Sequence, residues 1–325
     1  MRFVLTDDQL AFREVTREFM ERELPLDGAV DRLAASPNRA TWSRMAERLG
    51  LHGLLVPEGR GGLGGSYLDL GVVLAEAGRA TADLPLMSSA GVATSVLLAA
   101  DELNAGGPAA EILERMVDDA EVVVVVPPGD DLPQAVPGAG GSWLLSGHCR
   151  TVLDLPWAGR ALVFAAIPEG VALFEVALSE SMVLPCAAHD PTRAYGDLDL
   201  DGTPGTLVAP DTDGHLRRDV IVTSRVGLAL DAAGGARKCL ELAVEYAGTR
   251  EQFGRPIGSF QAIKHKCADV LLRVEAATSA AEAAAWVLSQ PGSTAAAALE
   301  SATLAKTYST EAFVHASGDL IQILG

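Results

Sequence analysis

Between positions 249 and 266 the chain reads Thr-Arg-Glu-Gln-Phe-Gly-Arg-Pro-Ile-Gly-Ser-Phe-Gln-Ala-Ile-Lys-His-Lys. Gly254, Pro256 and Gly258 dictate a rigid turn, and Arg250, Arg255, Lys264, His265 and Lys266 gather up to five cationic or titratable groups beside it. The 325-residue chain carries 25 Lys and Arg against 43 Asp and Glu, a net charge of −18, so this cluster is a local anion site on an acidic protein. Phe253 and Phe260 offer flat apolar faces, and Gln252 and Gln261 offer amides that both donate and accept. Such a set suits an adenine nucleotide with its pyrophosphate. It also suits a solvated turn between two helices whose basic residues balance nearby acids.

The elements that must hold this segment follow from period and punctuation. Thr6 and Gln9 have capping-box spacing, and Ala11, Val15 and Phe19 fall at i, i+4 and i+8, predicting a helix that stops at Pro25. A second helix is predicted over 41–49 with its stop at Gly50, and a third from Ser66 with Leu70, Val73 and Ala77 inward. The texture changes at Glu121, where valines 122–126 closed by Pro127 and Pro128 predict a buried strand. Further short strands are predicted over 142–145, 151–153, 161–167, 171–176, 195–200 and 206–208. After about Asp219 the helical period returns. Val226, Leu230, Ala233, Leu240, Val244 and Ala247 mark one face, and Ile263, Cys267, Val270, Val274, Ala277, Ala281, Ala284 and Leu288 another. Gly234 and Gly235 in mid-helix let a neighbouring helix come close, and Pro291 breaks to a last helix ending near Leu324. The fold class is therefore α+β: an N-terminal helical domain over 1–117, a central small antiparallel β-sandwich or barrel over 118–215, and a C-terminal helical bundle over 216–325.

The same composition excludes several functions. A net charge of −18 repels a polyphosphate backbone, so nucleic acid is not an expected partner. Cys149, Cys186, Cys239 and Cys267 form neither a CxxC pair nor a disulfide framework, and no metal site is expected. The start, Met1-Arg-Phe-Val-Leu-Thr-Asp-Asp, has no apolar leader, and no stretch of ~20 residues is apolar without charge. A cytoplasmic protein without a membrane partner is the expectation. GxGxxG, GxxxxGK[ST] and GxSxG are absent. Asp197, Asp199 and Asp201 alternate like metal ligands but equally like the wet face of a strand. Glu241 with Glu245, and Glu275 with Glu282, read as wet helix faces, and His148 as either structural or near a cofactor.

The string R-E-Q-F-G-R-P-I-G-S-F-Q-A-I-K-H resembles, in order and spacing, the second signature of the acyl-CoA dehydrogenase family. The resemblance implies that Arg250, Gln252, Phe253 and Gln261 bind the ADP part of a FAD held mainly by a neighbouring subunit. Gln322-Ile-Leu-Gly325 resembles the second piece of the same clamp, which adds Gln322 and Gly325 as cofactor-binding residues, and the loop over 57–65 resembles the family's early Gly-rich turn. The implied reaction is α,β-dehydrogenation of an acyl-CoA substrate, with an electron-transfer flavoprotein as acceptor. It needs a carboxylate base at the substrate α-carbon. One family base position falls here on Ser224, next to a family-like Arg225, and the other lies beyond Gly325, so no catalytic residue is identified. The flavin-ring strands are altered as well, reading Val-Val-Val-Pro-Pro-Gly over 124–129 and Gly-His-Cys-Arg-Thr-Val-Leu over 147–153. The expectation is a subunit that offers a nucleotide clamp to a related chain in a heterodimer or heterotetramer. A homo-oligomer, a non-catalytic acyl-CoA-binding or structural subunit, and a complete enzyme whose base lies beyond Gly325 are the alternatives.

Overall fold

The computed structural model describes residues 5–27, 38–138, 142–190 and 192–325, so the first four residues of the start that was read as lacking a leader lie outside them. Among the described residues the α-helices are α1 (Asp7–Glu23), α2 (Arg39–Leu49), α3 (Tyr67–Arg79), α4 (Thr94–Leu103), α5 (Pro108–Asp118), α6 (His215–Thr249), α7 (Gln261–Ser289) and α8 (Ala295–Leu324). The strands of the main sheet are β1 (Val123–Val125), β2 (Gln134–Pro137), β3 (Trp143–Leu153), β4 (Arg160–Ile167), β5 (Gly170–Ala177), β6 (Val183–Cys186) and β7 (Tyr195–Pro210). The helix, strand, helix order is the one predicted. The chain divides into two compact units, one from Met1–Asp27, Tyr67–Ala82 and Arg225–Gly325, the other from Gly28–Ser66 and Asp83–Ser224.

In the first, helical unit, the Thr6 hydroxyl accepts from Gln9 N at 3.2 Å and the Gln9 side chain returns the bond to Thr6 N at 3.1 Å, which starts α1 where the capping box predicts. The buried face of α1 differs from the predicted one. Thr16, Phe19 and Met20 are buried, whereas Ala11 is exposed and Val15 is 48% exposed. Polar ties set this roll: Gln9 donates to Asp69 at 2.8 Å and Arg17 to both oxygens of Glu76 at 2.9 and 2.8 Å. Positions 9, 13, 16, 17 and 20 thus form the inner stripe, and apolar residues alone did not mark it.

Leu70, Val73 and Ala77 of α3 are buried as predicted, and so are Val226, Leu230, Ala233, Leu240 and Ala247 of α6, while Val244 is 52% exposed. α3 and α6 meet backbone to backbone. A Cβ on Gly234 would lie 1.9 Å from the Ala75 carbonyl oxygen, and one on Gly78 would lie 2.0 Å from that of Asp231. Val270, Val274, Ala277, Ala281 and Ala284 of α7 are buried, and α8 returns along α7 with Ser309 donating to the Ala277 carbonyl at 3.3 Å.

In the second unit the strands close into a ring, β4-β2-β3-β7-β5, because β5 also pairs with β4; β1 hangs on β4 and β6 on β7. Two predicted strand pairs are single strands. Residues 142–145 and 151–153 both fall in β3, where register shifts at Leu145/Gly147 and Cys149/Val152 absorb the polar interruption, and 195–200 and 206–208 both fall in β7. The sheet is not wholly antiparallel: β1 runs parallel to β4, with Val124 opposite Ala161, and within the ring β2 touches β4 in parallel at Gln134 and Ala166. No hairpin joins β1 or β2 to β4, so nothing forces the antiparallel sense on them. Leu97, Ile112, Leu113 and Met116 of α4 and α5 pack on Val123, Leu162, Phe164 and Leu173. Among the described residues, Leu86–Leu103 is a run long and apolar enough to cross a membrane by composition, and 72% of that window is buried inside the protein, where it belongs to this core.

Candidate functional site

α6 ends at Thr249 and the chain turns at once into a hairpin, β8 (Glu251–Gln252) and β9 (Arg255–Pro256), with Glu251 opposite Pro256 and Gln252 opposite Arg255. The two residues at its tip, Phe253 and Gly254, have φ of +54° and +73°, the primed turn that matches strand twist. Glycine takes this conformation freely, but a phenylalanine in the left-handed region costs about 1–2 kcal/mol. The hairpin is anchored through its backbone: Arg250 N donates to the Tyr246 carbonyl and Ile257 N to the Arg250 carbonyl, both at 2.8 Å. Gly258 lies so close to the end of α6 that a Cβ there would be 2.8 Å from the Ala247 carbonyl oxygen.

The side chains divide into two sets. Lys266 turns to Asp319 of α8, and the Arg255 guanidinium lies 4.2 Å above the Phe260 ring. Arg250, Gln252, Gln261, Lys264 and His265 are exposed, without an ion pair among the described residues, and the Phe253 ring is 92% exposed, its edge toward Phe260 at 6.1 Å between centroids. That Arg255 is taken up in covering Phe260, which leaves Phe253 as the bare ring, was not visible in the sequence. Beneath the hairpin, Ile257 and Ile263 pack with Ala243, Ala247 and Ile323. Ile323 carries exposed Gln322 and, two residues on, exposed Gly325 into the same neighbourhood. The two sequence stretches expected to form one clamp therefore share one apolar footing.

In the β unit, the two altered strand stretches converge. Val126, Pro127, Pro128, Gly129, Gly147 and His148 line a cavity of about 610 Å³. Pro127, Pro128 and Pro133 on this wall have no N–H to offer, and the Thr151 N–H is already donated to Asp197 at 2.7 Å. His148 bonds Asp199 on the exposed face of β3, and Asp199 and Asp201 are exposed. Cys149 faces the same cavity, 6% exposed, and burial, reinforced by the Asp199 charge, pushes its thiol up to about 11. At pH 7 roughly one Cys149 in ten thousand is thiolate. A disulfide reagent at pH 7.5 is expected to leave Cys149 unmodified in the native chain and to label it in urea, as read by peptide mass; fast native labelling would contradict this burial.

Ser224 is half-buried on α6. Asp211, Asp213 and His215 come close enough together to hold a metal ion, a trio the sequence reading did not single out. The Asp211 carboxylate, however, already accepts from Leu216 N at 2.9 Å and Arg217 at 2.6 Å, which caps the start of α6. Glu282, read as part of a wet face, instead lines a cavity between helices of the helical unit.

Two family models match the chain: "Acyl-CoA dehydrogenase, N-terminal domain" over residues 6–107 and "Acyl-CoA dehydrogenase, C-terminal domain" over residues 218–325. Benzylmalonyl-CoA dehydrogenase of Aromatoleum aromaticum is 30% identical over 356 aligned positions, covering 100% of this chain and 89% of that protein. Acyl-CoA dehydrogenase FadE34 of Mycobacterium tuberculosis is 35% identical over 278 residues, 85% of this chain; the chain spans only 35% of FadE34. Among solved structures, the ChsE4-ChsE5 complex from Mycobacterium tuberculosis superposes with a TM-score of 0.86 at 24% identity, covering 100% of this chain and 88% of the matched one. At that identity the likeness shows the fold.

Proposed function

Because this chain belongs to the acyl-CoA dehydrogenase family, we propose that it is a subunit of a FAD-dependent enzyme that introduces an α,β double bond into an acyl-CoA thioester, and that its hairpin grips the ADP part of a FAD seated on a related partner chain. Phe253 carries this reading. A bulky apolar residue is held at φ +54° with its ring 92% exposed in the isolated chain, and a flat ligand that covers the ring recovers the missing apolar burial.

The residues present fit the nucleotide end of the cofactor. The Arg250 guanidinium supplies paired N–H donors for a pyrophosphate, Gln252 and Gln261 supply amides, and Phe253 a stacking face; Gln322 and Gly325 close the same corner from the end of α8. The ring end fits less well, since the proline-lined wall of the β unit offers few donors, and we assign the flavin ring to the partner's pocket. Bound FAD would supply the acceptor for the β-hydrogen, which leaves as hydride. The Ser224 hydroxyl is too weak a base to take the α-proton at neutral pH, and we assign the carboxylate that does so to the partner, a base beyond Gly325 being the alternative. A cytoplasmic electron-transfer flavoprotein then receives the electrons.

Co-expression with the product of the neighbouring gene tests this. The co-purified assembly is expected to show flavin absorbance and to reduce a dye on addition of acyl-CoA, and this chain alone to do neither. A chain that purifies alone with stoichiometric FAD and dehydrogenase activity would overturn the unequal pairing.

A further inference from the structure

We infer that the helical unit holds a second ligand site, a pocket for a small carboxylate with an apolar body, in the cavity of about 340 Å³ bounded by α1, α3, α6 and α7. It is separate from the hairpin and does not rest on the reading given above. A cavity of this size accepts a small organic molecule. Its lining combines apolar Val72, Leu230, Ala233 and Ala281 with charged side chains.

Most of those charges are matched. Glu76 takes Arg17 at 2.8 Å, Glu241 takes Arg79 at 2.7 Å, and Arg237 is held by Glu275 at 2.7 Å. Two are not. Among the described residues the Nε of Arg13 is buried without an acceptor, and the one ion-pair neighbour of Arg13, Glu14, is 3.8 Å away. Glu282, also in the lining, accepts no hydrogen bond from any described residue. A buried donor left unpaired is unfavourable, and an acceptor on a ligand at this spot recovers that loss.

The sign of the ligand follows from the charges. Arg17, Arg79 and Arg237 are each neutralised, by Glu76, Glu241 and Glu275, which leaves the Arg13 cation and the Glu282 carboxyl to set it. Burial pushes the Glu282 carboxyl up, against the pull of Arg13 and Arg237 and with the help of Glu275. In its neutral form Glu282 is a donor, and Arg13 is left as the one uncompensated cation of the lining. A carboxylate then accepts from Arg13 Nε with one oxygen and from the Glu282 hydroxyl with the other, while its apolar body lies on Leu230 and Val72. Arg17, Glu76, Arg79 and Glu241 also face Glu282 from the other helices, each fixed in its own ion pair.

Hexanoate is the probe, titrated calorimetrically into the full-length chain with hexanol as its uncharged counterpart. Hexanoate is expected to bind once per chain, and hexanol and the Arg13→Gln variant to show affinity weaker by about tenfold or more. Affinity in the unaltered chain is expected to fall as pH rises through the raised Glu282 pKa, because ionised Glu282 loses its proton and repels the ligand. Glu282→Gln, whose amide still donates, should retain binding and lose that pH dependence, and Arg250→Ala should leave hexanoate affinity unchanged. A cavity that holds water alone would give no hexanoate binding, or binding indifferent to Arg13→Gln; either result overturns the site.

Discussion

Arg250→Ala, introduced into the chain and co-purified with its partner, is expected to cut FAD affinity by about 30-fold, the equivalent of about 2 kcal/mol for a charge-assisted contact to phosphate. The magnitude can be attributed to the cofactor because the side chain does nothing for the fold. It is exposed and makes no ion pair among the described residues, and the hairpin depends on the Arg250 backbone, which alanine keeps. Arg250→Lys preserves the charge but loses the planar pair of donors, so its affinity should fall between the two. Gln261→Ala removes a neutral hydrogen bond and is expected to cost about 1 kcal/mol, roughly fivefold. Flavin released per assembly on dilution, followed by fluorescence, gives these numbers. An Arg250→Ala assembly that holds FAD as tightly as the unaltered one removes the clamp from the account.

The sequence was readable where a signal is local. The Thr6 and Gln9 capping box, the Gly50 stop, with φ of +64°, and the alanine stripe of α7 each need only a few neighbouring residues to be recognised. The turn at 253–258 was readable for the same reason, since its chemistry is set by Gly254, Pro256 and Gly258. What failed depends on partners far along the chain. The roll of α1 is decided by Glu76 and Asp69, about sixty residues away, so the apolar spacing of Ala11 and Val15 misled. Asp201-Gly202 and Pro204-Gly205 look like turn signals, yet β7 runs through them because β3 continues alongside, with Leu144 opposite Pro204 and Trp143 opposite Gly205. Glu282 differs from Glu275 by seven positions, two helical turns, and both read as wet; only the assembled helices show that one of them lines a cavity.

Gly234→Ala sets two known effects against each other, and the crossing of α3 and α6 decides the sign. Alanine in mid-helix is favoured over glycine by about 1 kcal/mol. The added Cβ, however, would sit 1.9 Å from the Ala75 carbonyl oxygen, and the contact is reciprocal, since Gly78 meets the Asp231 carbonyl in the same way. The obstacle is backbone on both sides, so no rotamer can yield and the helices must part by more than 1 Å. Overpacking of this kind costs typically 1–3 kcal/mol and more when backbone must move. Less that helix gain, the net expectation is a destabilisation of up to about 2 kcal/mol, a sizeable part of the ~5–15 kcal/mol that holds a domain folded. Gly318→Ala in α8 is the matched control, because nothing lies within 4 Å of a Cβ there; it should gain up to about 1 kcal/mol. Urea midpoints of the two variants should therefore move in opposite directions. If both rise together, the close approach of α3 and α6 is not what Gly234 is there to permit.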